Sequence, residues 1–215
     1  MNVKSTTVAD IVNQNPQAAT VFKKYKIDFC CKGKRPLAEA CAKAGIDPEI
    51  LLTEVGQLTR EPGSFLRIHA WPTGMICDYI VNNHHQYLRK VIPEINAICK
   101  KVAGVHGQNH PELPQIEKSF HTLSKELLLH MNKEEQELFP AIQNKQIDDR
   151  LKAEIEAEHE EAGNLMAAIN ELSNNYQPPA DACTSYRVLF ELLKEFEDDL
   201  HQHVHIENNI LLTKV

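Results

Sequence analysis

LLLHMNKEEQELFPA, residues 127–141, decides the fold, because its pattern returns near the end of the chain as LHQHVHIENNILL, residues 200–212. His130, Glu134, Leu138 and Phe139 of the first stretch match His203, Glu207, Leu211 and Leu212 of the second, and Leu127 and Leu200 each stand three residues before the histidine. Residues four apart lie on one face of an α-helix about a turn apart, so each stretch projects an imidazole and a carboxylate in one direction. That direction is inward. The pair continues an apolar stripe: Ile116, Phe120, Leu123, Leu127, His130, Glu134, Leu138 in one helix, and Tyr186, Leu189, Leu193, Phe196, Leu200, His203, Glu207 in the other. An unpaired buried charge is very costly, so two helices carrying this device in their core predict an ion shared between them.

From Thr73 onward the chain reads as four long amphipathic segments, roughly 74–104, 113–143, 148–174 and 183–212, with apolar residues at steps of three and four. Pro93 falls inside the first and is expected to kink it. GVHGQNHPELP and NNYQPPADA supply turn chemistry before the second and fourth segments. Four helices of similar length with moderate connections predict an antiparallel four-helix bundle over 73–215, in an all-α protein. Residues 1–60 predict a separate small helical, cysteine-bearing domain. In it Thr7 caps VADIVNQ, Pro16 opens QAATVFKKY, Pro36 opens LAEACAKA, and Asp47-Pro48 opens EILLTEVGQL. DFCCKGKR, residues 28–35, joins the second and third of these helices. Pro62, Gly63 and Pro72 break the pattern over 61–72, which reads as a linker.

A site fed by two His-x-x-x-Glu helices calls for ligands on the remaining two. The first bundle helix offers His84, which follows Ile80, and His85, which follows Val81; both precede Leu88, and periodicity does not choose between them. On the third, His159 lies on the stripe Ile155, Ala162, Met166, Ile169, while Glu158 lies on one through Leu151, Ile155, Ala162 and Leu165. Four imidazoles and two carboxylates exceed one tetrahedral zinc and suit two metals bridged by the carboxylates. Mixed nitrogen and oxygen ligation without thiolate favours iron or manganese, and iron is the reading adopted.

A single His-x-x-x-Glu is ordinarily a surface pair; the argument rests on its duplication along core stripes. Glu126, Glu135 and Glu137 read as solvated. His84, His106, His110, His121, His201 and His205 read mostly as solvated or loop residues, and His69 as a linker residue with no evident partner. Cys41, Cys77, Cys99 and Cys183 read as small buried hydrophobes. The 215 residues, 42% apolar with 8 glycines, suffice for one good core and an accessory domain. A net charge of −7 argues against a nucleic-acid surface. MNVKSTTVADIVNQNP lacks an apolar signal core, and no apolar run is long enough to span a bilayer, so a soluble cytoplasmic protein is expected, with its six cysteines reduced.

DFCCKGKRPL, HHQYLRKVIPEI, HMNKEEQELFPAI, EAEHEEAGNL and HVHIENN, in this order and spacing, resemble the iron-sulfur cluster repair di-iron proteins, the RIC or ScdA family, over nearly the whole chain. The resemblance implies an N-terminal ScdA-type domain, a hemerythrin-like bundle, and two non-haem irons, oxo-bridged, on His85, His130, Glu134, His159, His203 and Glu207. It selects His85 over His84 because the family histidine lies eight residues before the Pro-Glu pair, here Pro93-Glu94. It also places a histidine at His106 near the site, so His84 and His106 stand as alternates.

The function implied is restoration of iron-sulfur clusters damaged by nitric oxide or oxidants, by supplying iron or by redox processing or reduction of nitric oxide. Its partners would be damaged iron-sulfur proteins and nitric oxide or oxygen as small ligands, with a homodimer as a further partnership. The alternative is a hemerythrin-like module that binds or senses oxygen or nitric oxide and repairs nothing. The cysteine-bearing N-terminal domain, which a simple carrier does not need, separates the two. Cys30 and Cys31 are adjacent, so a disulfide between them would close a strained ring. Lys32, Lys34 and Arg35 favour their thiolates, and Gly33 with these charges suggests a surface turn. The pair is therefore expected to have a redox or transfer role.

Overall fold

The computed structural model describes residues 3, 5–58 and 68–215. Helices make up the regular structure of those residues, and they fall into two compact units: residues 1–72 with 204–214, and residues 73–203 with 215. Among the described residues no helix is long and apolar enough to cross a membrane.

In the first unit, α1 (Val8–Gln14) begins with a capping box: Asp10 N donates to Thr7 Oγ1 at 3.1 Å and Thr7 N donates to Asp10 Oδ2 at 2.9 Å. α2 (Ala18–Lys24) and α3 (Leu37–Ala44) follow Pro16 and Pro36. α4 (Pro48–Gln57) starts on Asp47, whose carboxylate accepts from Glu49 N at 2.9 Å, with Pro48 where no amide is needed. Helices this short are marginal alone; they share a core of Val8, Ile11, Phe22, Leu37, Cys41 and Leu51. The loop 28–35 is drawn onto α1 by Ala9 N, which donates to Gly33 O at 2.8 Å, and Val8 N, which donates to Arg35 O at 3.1 Å. A Cβ at Gly33 would stand 2.3 Å from Phe29 O and 2.9 Å from Asn209 Oδ1, so only glycine fits. The C-terminal segment of this unit also grips the loop. Asn209 Nδ2 donates to Cys30 O at 2.8 Å, and His205 Nδ1 to Phe29 O at 3.2 Å. The expected linker lies outside the described residues as far as residue 67; Ile68–Ala70 form one 3-10 turn.

The second unit contains the four rods, the last of them as far as residue 203. α5 (Thr73–Tyr79) passes through a π turn, Ile80–His85, into α6 (Gln86–His106), with Pro93 inside it. α7 (Glu112–Lys133) passes through a π turn, Glu134–Leu138, into α8 (Phe139–Gln143). α9 spans Asp149–Leu172, capped by Asp148, which accepts from Leu151 N at 2.7 Å. α10 (Thr184–Ile206) runs on into a third π turn, Glu207–Leu211. Side-chain pairs give the directions. Asn96 meets Ser124 and Arg89 meets Asn132, so the first and second rods are antiparallel. His84 meets Asp199 and Lys101 meets Ser185, so the first and fourth are too. Asn170 meets Glu197 and Tyr176 meets Phe190, giving the same for the third and fourth. Phe120 packs on Phe196 and Tyr186 bonds Glu112, so the second and fourth run parallel across the diagonal. This is an up-down-up-down bundle.

Every residue of both stripes is buried, His130, Glu134, His203 and Glu207 among them. Each apolar member contributes about 1.5–3 kcal/mol by leaving water, which is what holds polar groups in the midst of the stripe.

Candidate metal centre

Glu134 lies at the middle of the site, fully buried, and neither carboxylate oxygen has a hydrogen-bond donor. Four imidazoles point their Nε2 atoms at it. His85 is 3.3 Å and His203 4.0 Å from Oε2; His130 is 3.3 Å and His159 3.7 Å from Oε1. The nitrogens also pair off, with His85 Nε2 3.2 Å from His203 Nε2 and His159 Nε2 2.9 Å from His130 Nε2. Each oxygen of one carboxylate therefore faces its own pair of nitrogens. Glu207 comes one turn after His203 on the same unbroken helix. Two groups result, His85, Glu134, His203, Glu207 and His130, Glu134, His159, Glu207, each with ligand atoms within 4.8 Å of one another.

The chemistry of these atoms calls for cations. His85 Nδ1 lies 2.7 Å from Glu135 Oε1, and His130 Nδ1 lies 2.7 Å from Glu158 Oε2. An ionised carboxylate only accepts, so both rings carry their proton on Nδ1 and, when neutral, aim an Nε2 lone pair at a second nitrogen and at an anionic oxygen. Such contacts repel unless positive charge lies between them, carried by a metal ion or by a proton on Nε2. Burial opposes ionisation of Glu134, yet His130, His159 and His85 hold its carboxyl well below the usual range. Burial likewise pushes the His130 imidazolium down, but Glu134 and Glu158 outweigh it and hold the ring up at about 9. The nitrogen separations suit two ligands on one metal. Two nitrogens about 2.1 Å from one metal lie ~3.0 Å apart at right angles and ~3.4 Å apart in a tetrahedron. The observed 2.9 Å matches the first, and 3.2 Å lies midway between the two. The residues fit a pair of metals, each with two imidazoles and two carboxylates within reach.

The structure brings together His85, His130, Glu134, His159, His203 and Glu207. It does not bring in His106, which ends α6 about 30 Å along the helix from His85, with Nε2 3.2 Å from Cys183 Sγ. His84 is buried as well, contrary to the solvated reading; the π turn that ends in His84-His85 buries both. Its Nδ1 bonds Asp199 Oδ1 at 2.9 Å and its ring stacks on His203, centroids 5.4 Å apart. His159, not Glu158, takes the inner position on the third rod.

Glu135 corrects the sequence reading. Rather than a solvated helix position, it is the acceptor for His85 Nδ1 and for Arg89 Nη1, both at 2.7 Å. Burial raises its carboxyl pKa, but Arg89 and His85 bring it below the ordinary value. Glu158 plays the same part for His130, with Lys133 as a second partner, and its carboxyl is held down at about 2, chiefly by His130. A signal existed: a ligating histidine ordinarily gives its other N–H to a carboxylate, and each of these lies beside a ligand in sequence.

In the first unit Cys30 is only 4% exposed and Cys31 half-buried, with no disulfide and sulfurs 3.9 Å apart. The expected surface turn is partly covered. Cys31, then burial, pushes the Cys30 thiol well above its usual value, so the neighbouring lysines do not make it a thiolate. Cys41, Cys77 and Cys99 are buried as expected, whereas Cys183 is exposed.

A four-helix bundle whose core converges histidines and carboxylates into two adjoining groups fit for cations is a hemerythrin-type metal protein. The profile described as the hemerythrin HHE cation binding domain matches residues 78–215, and the ScdA_N profile, described as a domain of unknown function (DUF542), matches residues 4–59. The chain is similar to the iron-sulfur cluster repair protein ScdA of Staphylococcus haemolyticus, 32% identical with 100% of this chain and 99% of the relative covered. It is also similar to the iron-sulfur cluster repair proteins YtfE of Citrobacter koseri and of Escherichia coli, each 33% identical with 100% of this chain and 98% of the relative covered. The chain belongs to the family of iron-sulfur cluster repair proteins of the ScdA and YtfE type.

Proposed function

We propose that this chain restores iron-sulfur clusters damaged by nitrosative or oxidative stress, working in the cytoplasm from a non-haem centre of two irons. The observation that carries the reading is Glu134, whose two buried, donorless oxygens each face a pair of imidazole nitrogens, within a chain that aligns end to end with repair proteins. His85 and His203 would hold one iron and His130 and His159 the other, with Glu134 and Glu207 bridging. When bound, the irons supply positions for a small diatomic ligand and ferrous ions that can be given up.

The protein's own groups prepare and protect that centre. Glu135 and Glu158 keep the protons of His85 and His130 on Nδ1, which leaves both Nε2 lone pairs directed inward. Phe139, whose ring stacks on His85 with centroids 5.9 Å apart, helps the buried stripes exclude water. The domain division we adopt is 1–60 and 73–215, with Cys30 and Cys31 passing iron or a nitrosyl group to client proteins.

The test is anaerobic. A hydro-lyase whose [4Fe-4S] cluster has been destroyed by nitric oxide is incubated with the iron-loaded chain, its iron-free form, or the Cys30→Ser, Cys31→Ser double variant. Activity should return with the first alone, and the double variant should retain its iron. If nitric oxide binds the irons but no activity returns, the binding or sensing module is the correct reading.

A further inference from the structure

The loop between α2 and α3 concentrates a second set of ligands that the bundle chemistry does not use. Neighbouring side chains in an extended strand point to opposite faces, but in this turn Cys30 and Cys31 converge, with sulfurs 3.9 Å apart. Asp28 is fixed on the same side because its Oδ1 accepts from Cys30 N at 3.0 Å and Cys31 N at 2.9 Å, and it lies 3.3 Å from Cys30 Sγ. One ligand atom from each of the three residues lies within 4.8 Å of the others.

We propose that Asp28, Cys30 and Cys31 form a second cation site, separate from the bundle centre, for one thiophilic divalent ion in four-coordinate geometry. Two thiolates about 2.3 Å from a tetrahedral ion stand ~3.8 Å apart, and a thiolate and a carboxylate oxygen on it ~3.5 Å apart. The observed 3.9 and 3.3 Å are near both values. Thiolate ligands select borderline and soft ions over magnesium or calcium. The turn is braced from both sides, by Asn209 on Cys30 O at 2.8 Å and by Ala9 N on Gly33 O at 2.8 Å, so the ligands are held before the ion arrives. Cys30 is covered while Asp28 is exposed; the ion enters past Asp28 and keeps its fourth position toward solvent, as sites that exchange ligands do.

Two thiolates and a carboxylate bring three negative charges to an ion bearing two positive ones. Lys32, Lys34 and Arg35, next in the chain, offset the excess. Binding must remove the thiol protons, Cys30's included, so uptake releases about two protons per ion. The site stands whether or not the chain repairs clusters.

Cobalt(II) is the probe, because sulfur ligation gives a near-ultraviolet thiolate-to-cobalt charge-transfer band that nitrogen and oxygen ligands do not. The iron-loaded full-length protein, reduced and anaerobic, is titrated with Co2+. One equivalent should produce the band, zinc should bleach it, and magnesium should not. The band should be lost in Cys31→Ser and retained in Cys183→Ser. Asp28→Asn keeps an oxygen for the two backbone amides but removes the charge, and should shift the titration to higher Co2+ with the turn intact. Iron content, measured in each variant, should not change, which separates this site from the bundle. Absence of the band in the wild type, or its survival in Cys31→Ser, overturns the proposal.

Discussion

Glu134 is the residue on which the bundle centre depends, since one carboxylate serves both nitrogen pairs. Glu134→Gln should lower iron in the purified protein from about two per chain to below one, and should do so at both positions together, read by iron analysis of anaerobic protein. Loss from one position only would show that Glu134 does not bridge. The outer carboxylates act more weakly and through the histidines. Glu135→Gln and Glu158→Gln should each lower iron affinity by about 10–100-fold with all six ligands in place, measured by competition with a chelator. Glu135 could not be read from helical periodicity, because its phase is that of a surface residue; only the need of His85 Nδ1 for an acceptor gives it a task. His84 was hidden for the opposite reason, being one of two adjacent histidines where an ordinary helix would bury one.

Among the elements, the four rods and their inner stripes were legible because the period of 3.6 is carried by large apolar residues over many turns. The three π turns were not. Phe139 N donates to Glu134 O, Leu212 N to Glu207 O and Gln86 N to Val81 O, five residues back in each case. A single wide turn leaves the preceding pattern untouched. Its trace lies in adjacent residues that are both buried, Leu138 with Phe139 and Leu211 with Leu212. The loop 28–35 was misread as exposed because its cover comes from Asn209, 179 residues on from Cys30. Gly33→Ala should therefore destabilise the first unit by about 1–3 kcal/mol, seen as a lower melting temperature and faster amide exchange over 28–35 with iron content preserved. His205 gives the same loop a pH response. Burial pushes its imidazole down to about 4, with the Phe29 carbonyl pulling the other way. A histidine depressed on folding contributes stability that is fully present above about 6.5 and is lost as pH falls toward 4, here at most about 3 kcal/mol. Amide exchange over 28–35, corrected for its intrinsic pH dependence, should accelerate between pH 7 and pH 4.5 in wild type and less so in His205→Asn.

For the whole molecule, the centre joins the second rod to all the others through Glu134. Iron binds the folded chain and has no preformed site in the unfolded one, so it stabilises by mass action, by about 4 kcal/mol at a thousandfold excess over its dissociation constant. Stripping iron with a chelator should lower the bundle's melting temperature, and re-adding ferrous iron should restore it. In Glu134→Gln the two preparations should melt nearly alike. Both proposed bridging glutamates open a π turn, at Glu134–Leu138 and Glu207–Leu211, and this has a consequence for how the gene can change. Each wide turn holds one residue more than an ordinary one, so losing one residue inside it would restore the ordinary period with the flanking stretches still in phase, whereas a loss elsewhere in a rod would rotate everything beyond it by about 100°. At these places, and not along the rest of the rods, the chain can drop a residue and keep its face to the core, giving up one member of a buried doublet.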